Sequence, residues 1–162
     1  MEESLEKIKE KLASLVSKKA DTKEIIRTIL WDLAKKVDAC QGAFYLIVKN
    51  DNKKVIRFVE GYAYHLAETQ NLEFEIGDGL LGQVALDGKH ITLDDVPEGY
   101  LTVVSGLGKS SPRHLTIYPF VNDDKVFAVV ELAAFKPFEI DLTNYLSEFG
   151  KILAEVIQLK DE

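Results

Sequence analysis

The stretch Gly77-Asp78-Gly79-Leu80-Leu81-Gly82 decides the fold, because it fits two incompatible architectures. Spelled G-x-G-x-x-G, it matches the turn that grips the pyrophosphate of a dinucleotide in a parallel α/β sheet. That reading needs a strand before it, a full crossover helix after it, and an acid about 20 residues on. The strand is there, as Asn71–Ile76. The helix is not, since Gly88 stops it within six residues of Gly82, and Asp94 and Asp95 fall only twelve and thirteen residues past Gly82. No second βα unit follows. The glycines instead read as a tight turn by which a strand leaves a sheet. Gly77 and Gly79 supply positive φ, and Gly82 lets a short helix lie close against the sheet. Backbone N–H groups at that helix start could still hold an anion, but a purely structural turn is the favoured reading.

Upstream of the turn, "GAFYLIVKN" and "KKVIRFVEGYAY" read as two strands joined at Asn50-Asp51-Asn52. Downstream come the short helix "LLGQVALDG", an extended "HITLDDV", and two long strands, "LTIYPFV" and "KVFAVVELAAF", joined at Asn122-Asp123-Asp124. Helical patterns close both ends. Leu5, Ile8, Leu12 and Leu15 form a narrow coiled-coil-like seam. After a break at residues 18–21, Asp21 or Thr22 can cap a second helix with the wider stripe Ile25, Ile26, Ile29, Leu30, Leu33 and Val37. Another wide stripe runs from Leu142 to Ile157. Helices at the ends and hairpin-joined strands between them specify an α+β domain with a largely antiparallel sheet. We divide the chain into a linker or dimerisation helix over 1–20 and a domain over 21–162.

A 46% apolar and 29% charged composition is that of an ordinary soluble globular protein. A net charge of −7 argues against nucleic acid or an anionic membrane as the main partner. Lysines near the N-terminus are interleaved with Glu2, Glu3, Glu6 and Glu10, as on a solvated helix face. No apolar run reaches the length of a membrane span, and the first residues do not resemble a signal peptide. Cys40 is the single cysteine and reads as a buried structural thiol in a reducing, cytoplasmic setting.

Residues 97–114, with two prolines, three glycines and three serines, read as a long irregular loop of the kind that forms lids. In "KVFAVVELAAF" strict alternation puts Phe127, Val129, Glu131, Ala133 and Phe135 on one face and Val126, Ala128, Val130, Leu132 and Ala134 on the other. Both faces are apolar, so both should be covered. Glu131 is the exception, and a carboxylate in a central strand must find a partner or take up a proton. Arg113 and His114 are the nearest candidates, in a brace of the loop or alongside a ligand contact by Glu131. Tyr62, Tyr64, Phe74, Tyr100 and Tyr118 could line a pocket for a flat ligand.

The segments "IGDGLLGQVALDGKHITLDDVPEGY", "SGLG", "SPRH" and "VVELAAFKPF" together resemble the central part of a GAF domain, of the kind found in bacterial sensor histidine kinases and related signalling proteins. The likeness runs over about residues 20–160. It implies a mostly antiparallel sheet of about six strands, with the N- and C-terminal helices on one face and a pocket under loops on the other. It also implies a homodimer through the terminal helices and an output module such as a histidine kinase. On this basis Tyr100, Ser105, Arg113, His114, Tyr118 and Glu131 are the candidate ligand-binding residues, for a small molecule whose identity stays open.

Several specialised members of the family are a poor match. Arg113 stands where the loosely similar phytochrome segment carries its bilin-binding cysteine. The methionine sulfoxide reductases of this fold use several cysteines, the cyclic-nucleotide signature N-K-F-D-E is missing, and His65, His90 and His114 form no metal-binding cluster. The resulting expectation is a cytoplasmic sensory domain without enzymatic activity, cut from a larger signalling protein. The alternative is a ligand-free dimerisation or protein-interaction module.

Overall fold

A computed structural model describes residues 2–64, 72–96, 103–105, 108–110 and 112–139, and, within the final stretch, residues 146–147, 150–151, 153–155 and 157. Helix α1 is Glu2–Ser17 and α2 is Thr22–Lys36. Asp21 caps α2 by accepting a 2.7 Å hydrogen bond from the Glu24 N–H. The predicted stripe of α2 is its buried face, with Ile25, Ile26 and Leu30 wholly out of water. Leu12 of α1 is buried in the same core, Leu15 packs beside it, and Lys11 bridges to Asp32 at 3.0 Å. Part of the narrow seam is therefore used within the chain, while the Leu5 and Ile8 side chains lie outside the described residues.

Six strands form one sheet in the order β3-β2-β1-β8-β7-β4, with every neighbouring pair antiparallel. They are β1 (Gln41–Asn50), β2 (Lys53–Tyr62), β3 (Glu73–Glu75), β4 (Ile91–Leu93), β7 (His114–Asn122) and β8 (Lys125–Ala134). Both long hairpins close through two residues in the left-handed region, Asp51 and Asn52 in one, Asp123 and Asp124 in the other. This type I′ geometry matches the right-handed twist of the strands. The segment expected to be irregular holds a small antiparallel pair, β5 (Val103–Ser105) with β6 (Gly108–Ser110). The Pro, Gly and Ser content had obscured the β-branched Val103-Val104 that favours extended backbone.

Two cores result, one on each face. On the first, α2 and the helical residues Leu146 and Leu153 cover Phe44, Phe120, Ala128, Val130 and Leu132. On the second, α3 (Gly79–Asp87) lays Leu81 and Val84 over Tyr45, Ile117, Val129 and Ala133. One part of the expected alternation in β8 is corrected. A register shift between Phe120 and Val121 opposes Phe120 to Ala128 and Val121 to Val126, leaving Phe127 over. This bulge turns Phe127 to the α2 face and Val126 to the α3 face, the reverse of strict alternation.

The glycine turn serves the fold as read. Gly77 and Gly79 have φ of 92° and 70°, and a Cβ on Gly82 would come within 2.6 Å of the Glu75 carbonyl oxygen. Three of the turn's amides are spent internally, Gly77 N–H on the Gly82 carbonyl (2.8 Å), Asp78 N–H on the Glu75 carbonyl (3.2 Å) and Gly82 N–H on the Asp78 carbonyl (3.1 Å). Gly88 ends α3 in the left-handed conformation at φ 68°. No helix among the described residues is long and apolar enough to cross a membrane.

Candidate functional site

Three polar side chains are buried among the described residues: Thr116, Gln41 and Glu131. Thr116 is satisfied inside the sheet, sharing a 3.2 Å hydrogen bond with Thr92. Gln41 and Glu131 are not disposed of so simply, and they lie together. Glu131 stands opposite Ala43, while Gln41 stands opposite Ala133 and Tyr45 opposite Val129. Side chains on one face of a strand recur every second residue, so Gln41 and Tyr45 flank Glu131 diagonally on the α3 face.

The Glu131 carboxyl accepts a hydrogen bond from the Tyr45 hydroxyl, yet burial outweighs it and pushes the pKa up from 4.5 to about 7. A neutral carboxyl is the response of a group removed from water without a cation to pair with. The Gln41 Oε1 is buried with no hydrogen-bond partner. Both border a cavity of about 10 Å³, closed also by Gly42, Ala43, Tyr64 and Ala133. That is room for the centre of one water-sized group. Around it Tyr45 meets Phe58 and Phe74 edge-on at 5.8 and 5.9 Å, and Tyr64 packs on Phe58 at 5.5 Å. Cys40, next in sequence, is half-buried; its thiol donates to the Ala133 carbonyl (3.3 Å), and burial raises its pKa. Among the described residues no three His, Cys, Asp or Glu side chains gather as a metal site would require.

Of the four expected site residues whose side chains are described, Arg113, His114, Tyr118 and Glu131, only Glu131 borders this cavity. Arg113 is exposed, and its carbonyl accepts from the Val96 N–H at 3.0 Å. His114 pairs with Asp94 (Nδ1 to Oδ1, 3.2 Å) instead of Glu131. The expected Arg113–Glu131 or His114–Glu131 brace is thereby corrected. The register sets Ile117 opposite Glu131 and His114 opposite Ala134, three residues along β7 and on the other face. Tyr118 also points to the α2 side, where it stacks on His90 at 5.4 Å. There it borders a cleft of about 560 Å³ with Lys89, Phe120, Gly150 and Lys151. That cleft is far larger but borders no buried, unsatisfied polar group, so the chemistry points to Glu131. Tyr100 and the Ser105 side chain lie outside the described residues. Of the aromatic set, Tyr64 and Phe74 join the Glu131 face, and Tyr62 packs against Trp31 on the other. Gln41 and Tyr45 had gone unremarked. Their signal is the alternation in "QGAFY", which puts a glutamine in phase with the inward Ala43 and Tyr45.

No curated protein matches the sequence. Solved structures share the fold at low identity. The GAF domain of an Acinetobacter phosphoenolpyruvate-protein phosphotransferase superposes with a TM-score of 0.71 at 12% identity, covering 98% of this chain and 91% of that one. The A. aeolicus nlh2 GAF domain in an inactive state gives 0.69 at 16%, covering 98% of each chain. The free methionine-R-sulfoxide reductase of Neisseria meningitidis, solved with its substrate, gives 0.67 at 17%, covering 97% and 90%. This last likeness corrects the expectation of a chain without enzymatic activity, because the shared architecture carries catalysis as well as regulation. A family model described as GAF domain matches residues 19–158. The sheet order, the two-faced core and that match make the chain a member of the GAF domain family.

Proposed function

We propose that the chain is a sensory or regulatory GAF domain that captures a small molecule on the α3 face of its sheet and passes the state of that site to its terminal helices. The observation that carries this reading is the buried Glu131 carboxyl, with no cation beside it among the described residues, next to the orphaned Gln41 Oε1. Leaving polar groups unsatisfied inside a sheet is destabilising, and such strain is kept where something binds. Strand β1 offers a route outward. Gln41 and Tyr45 face the site, while Phe44 between them stacks on Phe120 at 5.6 Å in the core under α2. A homodimer through the terminal helices, in a signalling protein with a histidine kinase or another output module, belongs to the same proposal.

Native mass spectrometry of protein purified gently from its source cells tests the capture. The reading predicts a mass excess that vanishes on denaturation and is lost in Glu131→Gln. A bare chain in both preparations refutes it, and favours a GAF-fold interaction module, which the small cavity would suit.

A further inference from the structure

The donor and acceptor balance of the cavity goes one step further, and this step rests on the reading of the Glu131 face as a capture site. The Gln41 Oε1 is an acceptor without a donor, and the Glu131 carboxyl, which takes a hydrogen bond from Tyr45, becomes an acceptor only once it ionises. Tyr45, Tyr64 and the Cys40 thiol are titratable side chains within the core of this face. Helix α3 and strand β7 present it with apolar side chains such as Leu81, Val84 and Ile117, and among the described residues no Lys, Arg or His borders the cavity or acts on the Glu131 carboxyl. Among the described residues the site thus has one orphaned acceptor, a carboxyl that can ionise beside it, and no cation.

Each common ligand head group can be weighed against that balance. A carboxylate or phosphate would set acceptor against acceptor in a low dielectric. A hydroxyl brings one donor for two acceptors. A guanidinium has the donors, but its planar fork exceeds a cavity of about 10 Å³. An ammonium brings three donors, no acceptor and a positive charge in the volume of a water molecule. We propose that the Gln41–Glu131 cavity seats a primary ammonium group, so that the ligand is a small amine or amino compound whose body extends away from the sheet. Binding the cation ionises Glu131 and releases its proton to solvent. Affinity therefore rises with pH through about 7, while the amine itself stays protonated.

The test uses four fragments with one carbon skeleton, n-propylammonium, propionamide, propan-1-ol and propionate, titrated onto the full chain and followed at the Gln41 and Glu131 side chains by NMR. Propylammonium should saturate, binding about tenfold more tightly at pH 8 than at pH 6. It should weaken by on the order of thirty-fold in Glu131→Gln. Gln41→Met, which keeps the volume and removes the acceptor, should also weaken it without loss of stability. Preference for another fragment, or equal propylammonium binding by Glu131→Gln, overturns the ammonium assignment and leaves capture intact. Should no fragment saturate, the mass of a co-purifying molecule decides. A basic amine supports the assignment, a ligand without one refutes it alone, and a bare chain refutes both readings.

Discussion

Glu131 shows how one side chain can be conspicuous in a sequence while its surroundings are not. A carboxylate amid "VVELAA" announces itself because everything around it is apolar. Its partners could not be chosen by nearness along the chain. His114 opens the adjacent strand and Arg113 precedes it, but the β7–β8 register sets Ile117 opposite Glu131, three residues from His114 and four from Arg113. The group that does reach the carboxyl, Tyr45, comes from β1 on the other side of β8, as does Gln41, which borders the same cavity. A consequence for stability follows at this scale. With its pKa raised to about 7, Glu131 keeps in the folded chain a proton that the unfolded chain releases near 4.5. That contribution is complete below pH 4.5, declines as pH rises through 7, and is flat above, a change of about 3 kcal/mol. Urea denaturation of the ligand-free protein should show this decline, and Glu131→Gln should abolish it and be the more stable form at pH 8. Parallel stability curves for the two proteins would contradict the buried, unpaired state of the carboxyl.

Elements were more legible than partners. Period-2 runs and paired Asn/Asp turns mark β1, β2, β7 and β8, and a wide apolar stripe behind a capping Asp marks α2, because each signal is local. What escaped was non-local or masked by composition: the bulge at Phe127, which reverses two side chains, and the short β5–β6 pair inside a Gly- and Ser-rich segment. The glycine turn lies between these cases, since its context rejected a dinucleotide site and its backbone explains each glycine. Gly79→Ala meets no atom within 4 Å and suffers only the left-handed backbone, about 1 kcal/mol. Gly82→Ala drives a Cβ to 2.6 Å from the Glu75 carbonyl oxygen and should cost more, about 2–3 kcal/mol. Equal losses in denaturant midpoint would mean that α3 is free to move off β3.

For the molecule as a whole, the arrangement is one six-stranded sheet read from two sides. The α3 side carries the cavity bordered by Gln41 and Glu131, and the α2 side carries α2 with the helical residues Leu146 and Leu153. Neighbouring residues of β1 belong to both, Tyr45 to one and Phe44 to the other, which is the link the proposed function uses. This account stands or falls on whether Glu131 is occupied. The most direct measurement is the pH titration of its side-chain carboxyl carbon by NMR, on protein as gently purified and again after unfolding and refolding to strip it. The account predicts a midpoint near 7 in the stripped protein and a displaced midpoint before stripping. Identical titrations at an ordinary carboxylate value in both would contradict it.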